Sequence, residues 1–258
     1  MNNNYDIIKA RGVYIKDIYE KFPYDYDEFG DINDYLGPEK EFFEIVFKEN
    51  NVKSVLDCAC GTGHHLYMMA KMGLEVSGSD YSNSMLSVAK NNLSDLNKDI
   101  KLKQCDFRYL EKAFDEKFDA IVCLTTSLPH LHEDEDLITA LTSMKNRLND
   151  NGVLILTQGA TPATLKLPPI EVVVEREDFT RVYVKEYDDR FQTIHILDLY
   201  HSKDRLENQQ YDVKYRLLFD KEYKDLLSKA GFKDVQIYGD YYRNPYTDES
   251  RRLIVVAR

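Results

Sequence analysis

Hydrophobic positions in the middle of the chain follow two alternating spacings. Short apolar runs, which predict buried strands, lie at residues 54–59, 74–80, 100–107, 118–126 and 152–158. Between these runs, residues 64–73, 82–96 and 134–148 carry apolar side chains at helical spacing. Strands separated by helices predict βαβ units and a mostly parallel sheet, which is the pattern of an α/β fold.

The pattern changes on both sides of this region. Residues 1–50 have an amphipathic helical pattern that proline and glycine interrupt, and they predict an N-terminal helical cap. After Pro168 and Pro169, residues 171–218 predict an antiparallel β layer with strands at 180–187, 191–201 and 210–219. The chain then returns to the α/β body with a helix at 221–230 and closing strands at 234–241 and 251–258.

These patterns divide the chain into three parts. The cap covers residues 1–50, the α/β body covers residues 51–168 and 219–258, and the inserted β-rich subdomain covers residues 169–218. We expect the body to bind a cofactor. The insert is expected to form a substrate platform or lid, or to serve in dimerisation, so a homodimer stays open.

The charge balance narrows the range of partners. The chain has 34 Lys and Arg against 45 Asp and Glu, a net charge of −11. A surface this acidic repels phosphate backbones, so nucleic acid is not expected as a partner. No apolar run approaches the roughly 20 residues of a membrane span, so no membrane association is expected. The N-terminal residues lack the features of a signal peptide, which predicts a cytoplasmic protein.

The stretch DCACGTGHH at residues 57–65 lies where the first predicted strand meets a helix. Its cysteines and histidines suggest a metal site, but adjacent histidines on a helix point about 100° apart. No second Cys or His pair follows at the usual ligand spacing, so no metal is expected. Glycines in such a turn let the backbone approach a ligand closely, which favours a nucleotide cofactor.

Acidic residues end the next two predicted strands. Asp80 ends the second strand, where a carboxylate can accept both hydroxyls of an adenosine ribose. Asp106 ends the third strand, where it can meet an adenine amino group with Phe107 beside the ring. The carboxyl ends of parallel strands share one edge of a sheet, and open α/β sheets bind their ligands at that edge.

On these residues the chain resembles the class I S-adenosylmethionine-dependent methyltransferases. Their signature is a D-x-G-x-G-x-G-like turn with acids after the second and third strands, and Ala59 stands here at the first glycine position. The stretches VLDCACGTG, SGSDYSNSML and FDAIVCLTTSLPHL further resemble the glycine/sarcosine N-methyltransferase group. The resemblance covers about residues 40–165 and 219–258. It implies a Rossmann-like, doubly wound sheet of seven strands whose last strand is antiparallel.

The resemblance also implies S-adenosyl-L-methionine as cofactor, with S-adenosyl-L-homocysteine as product. Asp57 is expected to support the turn or the amino end of the methionine moiety. His130 is expected to orient the cofactor or to act as a base, and the first role is favoured. The expected cofactor site comprises Asp57, Ala59, Gly61, Gly63, Asp80, Tyr81, Met85, Asp106, Phe107, Leu124, Thr125, Ser127 and His130, with the N-terminal aromatics Tyr24 and Tyr26.

We therefore expect a methyltransferase that acts on a small-molecule acceptor. N-methylation is expected ahead of O-methylation, because an acidic, tyrosine-lined cleft favours an amine. Glycine itself is disfavoured, because Gly159 stands where the resembled enzyme has an arginine for the substrate carboxylate. The alternatives are a nicotinamide-dependent oxidoreductase and a non-catalytic cofactor-binding module. A dinucleotide fingerprint would place a third glycine where this chain has Leu66.

Overall fold

The computed structural model describes residues 19–20, 26–27, 37–96 and 98–258, which form two β-sheets and their flanking helices. The strands are β1 (Ser54–Asp57), β2 (Glu75–Asp80), β3 (Lys101–Gln104), β4 (Phe118–Cys123), β5 (Leu148–Gln158), β6 (Ile170–Glu175), β7 (Phe179–Tyr187), β8 (Phe191–His201), β9 (Leu206–Arg216), β10 (Val235–Tyr238) and β11 (Leu253–Ala257). The α-helices are α1 (Pro38–Glu49), α2 (His64–Lys71), α3 (Asn83–Asn92), α4 (Asp134–Arg147), α5 (Pro162–Leu165) and α6 (Asp220–Lys229).

The first sheet has seven strands in the order β3-β2-β1-β4-β5-β11-β10. Strands β1 to β5 pair in parallel, whereas β11 is antiparallel to both β5 and β10. This arrangement confirms the predicted Rossmann-like sheet with an antiparallel last strand. The order reverses between β1 and β4, and an open α/β sheet binds its ligand outside the carboxyl ends of the strands at such a point.

Helices cover both faces of this sheet, because successive strand residues point to opposite sides and both sides are apolar. Val55 packs on the side of α1 and α2, where it joins a core that includes Phe43 and Met69. Leu56, the next residue, packs on the side of α4 and α6. Because helices cover both faces, the part of the sheet that a ligand can reach is its carboxyl edge, where the strands end in loops.

The second sheet is antiparallel, with the order β6-β7-β8-β9. The sequence pattern predicted three strands in this region, and the structure has four. Strand β6 was not predicted as a separate strand. It lies at the edge of the sheet and its side chains Ile170 and Val172 are exposed, so its sequence pattern shows no buried face. Strand β9 begins at Leu206, earlier than predicted, because its polar first residues pair with β8 through the backbone.

The second sheet is fixed above the carboxyl edge of the first by arginine contacts near the start of α4. The Arg190 guanidinium lies 2.8 Å from the Glu133 carboxylate, and that of Arg216 lies 2.5 Å from the Asp134 carboxylate. Both arginines also donate to the backbone carbonyl of His132, at 2.9 and 3.3 Å. The inner face of the second sheet thus lies opposite the loops that follow β4 and β5.

The predicted division into cap, body and insert stays a prediction. Helix α1 lies within the expected cap, and the cap is otherwise described only at residues 19–20, 26–27, 37 and 50. None of the helices in the described residues is long and apolar enough to cross a membrane.

Candidate active site

The turn between β1 and α2 has the backbone geometry that its glycines permit. Gly61 and Gly63 have φ values of 52° and 90°, in the left-handed region that favours glycine. Apart from its two chain neighbours, no described residue has an atom within 4 Å of the point where a Cβ on Gly61 would stand, so there is open space above the turn. At Gly63, an added Cβ would come within 3.3 Å of both Ala89 and Leu93. Gly61 therefore leaves space for a ligand, and Gly63 lets α2 approach α3.

A cavity of about 280 Å³ lies at this turn. Its wall is formed by small, acidic and aromatic side chains from the loops after β1, β2, β3 and β4. Eleven of the expected site residues line it: Ala59, Gly61, Asp80, Tyr81, Met85, Asp106, Phe107, Thr125, Ser127, His130 and Tyr26. The predicted residues thus come together at one edge of the sheet, as the topology requires.

Three other predicted residues lie beside this cavity without lining it. Asp57 is buried beneath the turn, where its Oδ1 accepts the Ala59 N–H at 3.2 Å. Burial raises the pKa of Asp57 to about 6, against the lowering effect of nearby His65 and of this hydrogen bond. Leu124 is buried in the core on the α2 side of the sheet, and Gly63 packs against α3. Tyr24, also predicted, lies outside the described residues.

Asp80 has the hydrogen bonds expected of a positioned carboxylate. One oxygen accepts the Gly61 N–H at 2.9 Å, and the other accepts the Ser82 N–H at 2.9 Å. Burial raises the pKa of Asp80, although the backbone donors favour its ionised form. A carboxylate oxygen accepts more than one hydrogen bond, so both oxygens can still accept donors from a ligand in the cavity.

Asp106 is held by an arginine that the sequence pattern did not identify. The Nε of Arg108 lies 3.1 and 3.0 Å from the two Asp106 oxygens, and its Nη2 lies 2.6 Å from Oδ2. The Nη1 of Arg108 also contacts Asp136 at 2.7 Å. Hydrogen bonds to Asp106 raise the pKa of Arg108 above its usual range. The guanidinium therefore fixes the orientation of the Asp106 carboxylate at the cavity wall.

His130 sits between the cavity and the second sheet. Its Nε2 lies 3.0 Å from the Tyr19 hydroxyl, and its ring centroid lies 4.7 Å from that of Tyr215. Its Nδ1 is buried and has no hydrogen-bond partner in the described part of the chain. Burial lowers the pKa of His130 to about 3, so the imidazole is neutral at physiological pH.

A second cavity, of about 620 Å³, lies between this site and the inner face of the second sheet. It shares Tyr19, Tyr26 and Thr125 with the first cavity. The far side consists of residues from β6 to β9, among them Tyr183 and Tyr215. A molecule in this second cavity would therefore meet a ligand in the first across a wall of tyrosines and one threonine.

The shared wall contains a strained turn. Thr125 and Thr126 have φ values of 52° and 70°, which is uncommon for two successive β-branched residues. Their N–H groups are both held by Thr157, one through its hydroxyl and one through its carbonyl, each at 2.9 Å. Backbone strain of this kind is found at functional sites more often than elsewhere.

The cysteines and histidines of the first turn have separate surroundings. All four cysteines of the chain are buried free thiols. His64 lies 3.4 Å from Asp27, and His65 lies 3.2 Å from Glu39. In the part of the chain that the structure describes, no three His, Cys, Asp or Glu residues are grouped so that they could hold a metal ion.

Sequence reasoning missed four residues of the cavity wall, which are Tyr19, Cys58, Arg108 and Leu131. Arg108 had a local signal, because a cation two residues after Asp106 can turn back onto that carboxylate. Tyr19 had none, because it lies 111 residues before its partner His130.

Comparison with known proteins gives the site its chemical context. A family model described as a methyltransferase domain matches residues 55–152, which contain the first turn and both acidic strand ends. The glycine/sarcosine N-methyltransferase of Aphanothece halophytica is 29% identical over 250 residues, covering 95% of this chain and 91% of that protein. The enzyme of the same name from Parasynechococcus marenigrum is 34% identical over 143 residues, covering 55% of this chain and 51% of the other.

The fold is shared with solved methyltransferases. A crystal structure of an S-adenosylmethionine-dependent methyltransferase from Clostridium acetobutylicum aligns with a TM-score of 0.77 at 19% identity. The alignment covers 93% of this chain and 98% of that one, so it includes the second sheet as well as the first.

Proposed function

We propose that this chain, which is a class I S-adenosylmethionine-dependent methyltransferase, transfers the methyl group to the amine nitrogen of a small organic molecule. Both glycine/sarcosine relatives are N-methyltransferases, which supports nitrogen as the acceptor atom. The match to a methyltransferase domain also argues against a nicotinamide-dependent oxidoreductase. Leu66, which stands where a dinucleotide fingerprint has its third glycine, is fully buried in the core.

The first cavity suits the adenosine part of the cofactor. The open space at Gly61 admits a ligand close to the backbone, and Asp80 can accept the two ribose hydroxyls with the oxygens that Gly61 and Ser82 already orient. We place the adenine between Phe107 and the Asp106 carboxylate, which Arg108 holds in position. The side chains of Asp57, Gly63 and Leu124 then support this site from outside the cavity.

The second cavity suits the acceptor. It adjoins the first at Tyr19, Tyr26 and Thr125, so an amine there can reach a methyl group held on the other side. Bound S-adenosylmethionine supplies a methyl group that its sulfonium already activates. The residues of the shared wall therefore need to align the two reactants and exclude water.

The protonation states of the wall residues favour an amine over a hydroxyl as acceptor. A hydroxyl must lose its proton to become a good nucleophile, whereas a neutral amine already has a lone pair. His130, with its pKa lowered to about 3 by burial, is a weak base. Burial also raises the pKa of Tyr19 well above its usual value and that of Tyr215 to about 12, so both hydroxyls stay protonated. The observation that carries the proposal is that no suitable base stands at the shared wall among the described residues.

The direct test measures S-adenosylhomocysteine formation with matched acceptors. Each primary or secondary amine is paired with the alcohol of the same carbon skeleton. We expect turnover of amines and none of the alcohols. Turnover of alcohols at equal rates would contradict nitrogen as the acceptor atom. Cofactor binding without turnover of any amine would instead support the non-catalytic alternative.

A further inference from the structure

The second cavity contains a cation that has no counter-ion among the residues that the structure describes. Two of its lining residues, Lys185 and Arg251, carry a positive charge. The ammonium of Lys185 is paired with the Glu171 carboxylate, which lines the same cavity. Arg251 forms no ion pair and no side-chain hydrogen bond with any residue that the structure describes. In a chain of net charge −11, a lining arginine without a carboxylate partner is available to an anion.

The strand register explains where this arginine lies. Leu253 of β11 is opposite Gln158 of β5, and continuing the antiparallel register places Arg251 opposite Ala160. Ala160 and the preceding Gly159 line the cavity as well. Within the described ranges, only the two chain neighbours of Gly159 have atoms that could lie within 4 Å of the point where a Cβ on Gly159 would stand. The wall beside Arg251 is therefore open enough to admit part of a ligand.

The remaining wall determines what kind of ligand could lie between Arg251 and the site of methyl transfer. Tyr19, Tyr26 and Thr125 form the wall shared with the first cavity. The other lining residues include an aliphatic group, Leu167, Val173, Ile194, Ile196 and Val213. This combination suits an acceptor that has an amine, an apolar or ring-shaped body and a group that can reach Arg251. A cavity of about 620 Å³ is also far larger than an acceptor of a few heavy atoms requires.

We propose that Arg251 binds an anionic group, a carboxylate or a phosphate, on the acceptor of this methyltransferase and so determines which amines are methylated. A guanidinium forms two parallel hydrogen bonds with either group, which fixes its orientation as well as its position. The inference rests on the proposed N-methylation, because it takes the second cavity as the acceptor site. It adds the requirement that the acceptor carry a negative charge away from its amine.

The test uses aminoalkyl carboxylates and aminoalkyl phosphates of increasing chain length, each with an uncharged amide or alcohol counterpart. For the wild type we expect the anionic member of a pair to have at least about a tenfold higher kcat/KM, mainly through a lower KM. Arg251→Ala should reduce this preference to less than about twofold, mainly by raising the KM of the anionic member. Arg251→Lys should keep part of the preference, because it retains the charge and loses the planar fork. Comparison of the carboxylate and phosphate series then identifies which anion is bound.

A matched control removes a positive charge that lies outside the second cavity, that of Lys166. Lys166 pairs with Glu249 at 3.4 Å and does not line the cavity, so Lys166→Ala should keep the wild-type preference. A wild type that does not distinguish the anionic and neutral members, or an Arg251→Ala variant that still does, would overturn the role of Arg251.

Calorimetry separates this inference from the proposed function. The same anionic and neutral probes are titrated into the protein saturated with S-adenosylhomocysteine, which requires no turnover. Tighter binding of the anionic probes that Arg251→Ala abolishes supports the anion site even if no amine is methylated. Equal binding of both members of each pair refutes the anion site, whatever the activity assays show.

Discussion

The hydroxyl of Tyr19 lies 3.0 Å from Nε2 of His130, at the boundary between the two cavities. It joins a residue before the first strand to the loop after β4. Tyr215 of the second sheet also hydrogen-bonds to Tyr19 and packs against the His130 ring. Three separate parts of the chain thus meet where we place methyl transfer.

The first prediction concerns the role of His130. Removal of a general base slows a reaction by about 100- to 10,000-fold, whereas loss of a neutral positioning group should cost less. We expect His130→Gln to reduce kcat by less than about tenfold and to leave the pH dependence of kcat/KM unchanged. That pH dependence should follow the amine pKa when acceptors of different basicity are compared. A loss of 100-fold or more, with a changed pH profile, would instead identify His130 as a base.

The buried imidazole also makes stability depend on pH. The pKa of His130 is about 3 in the folded protein, against about 6.5 in an unfolded chain. Between these two pKa values the imidazole is protonated in the unfolded chain and neutral in the folded protein. Proton binding therefore favours the unfolded chain as the pH falls. The contribution of His130 to stability is complete above pH 6.5 and is lost as the pH falls below it. The difference in unfolding free energy between wild type and His130→Gln should therefore shift by up to about 2 kcal/mol between pH 7 and pH 5. Urea unfolding at both pH values measures it, and a pH-independent difference would show that His130 is not buried in its neutral form.

The strained turn at the shared wall should limit stability and support activity. Thr126→Gly relieves a left-handed conformation that costs about 1–2 kcal/mol for a non-glycine residue, at an entropic cost of about 0.5–1 kcal/mol. We expect the unfolding free energy to stay constant or rise by up to about 1 kcal/mol while kcat falls.

Asn51 provides the control for this substitution, because its φ is 53° and it follows α1. Asn51→Gly should leave kcat unchanged. If Thr126→Gly retained full kcat, the strain would have no part in methyl transfer.

The buried ion pair of the second sheet should affect acceptor binding without affecting cofactor binding. Arg181 and Asp198 are fully buried and form two hydrogen bonds, at 2.6 and 2.7 Å. Breaking a buried pair by removing one partner costs about 3–5 kcal/mol. Asp198→Asn, the milder change, should destabilise the protein and raise the acceptor KM.

The affinity for S-adenosylhomocysteine should meanwhile stay within about threefold of the wild-type value. The exposed Asp204 gives a matched control, and Asp204→Asn should behave as wild type. A large loss of cofactor affinity in Asp198→Asn would show that the two sheets do not have separate roles.

Local patterns made much of the fold predictable. The first sheet followed from apolar runs and helical spacings within short segments, since strands buried on both faces carry a strong signal. The edge strand β6 had a weaker signal because Ile170 and Val172 face solvent. The candidate cofactor residues were predictable for a related reason, because each lies next to the carboxyl end of a strand and the topology brings those ends together.

The acceptor side could not be inferred in the same way. Arg251 comes near Gly159 through the pairing of β11 with β5, and Tyr19 meets His130 across a sequence separation of 111 residues. Neither position has a sequence spacing that signals its partner. The proposed anion site and the contact between Tyr19 and His130 therefore depend on tertiary structure.

The central claim is that S-adenosylmethionine binds at the carboxyl edge of the first sheet with its ribose on Asp80, and calorimetric titration of S-adenosylhomocysteine into wild type and Asp80→Ala tests it most directly. Two hydrogen bonds to a buried carboxylate are together worth about 3 kcal/mol or more, so the variant should bind at least about 100-fold more weakly. Asp99→Ala, which removes an exposed carboxylate at the opposite end of β3, should bind as wild type does. Equal affinities for wild type and Asp80→Ala would contradict the claim.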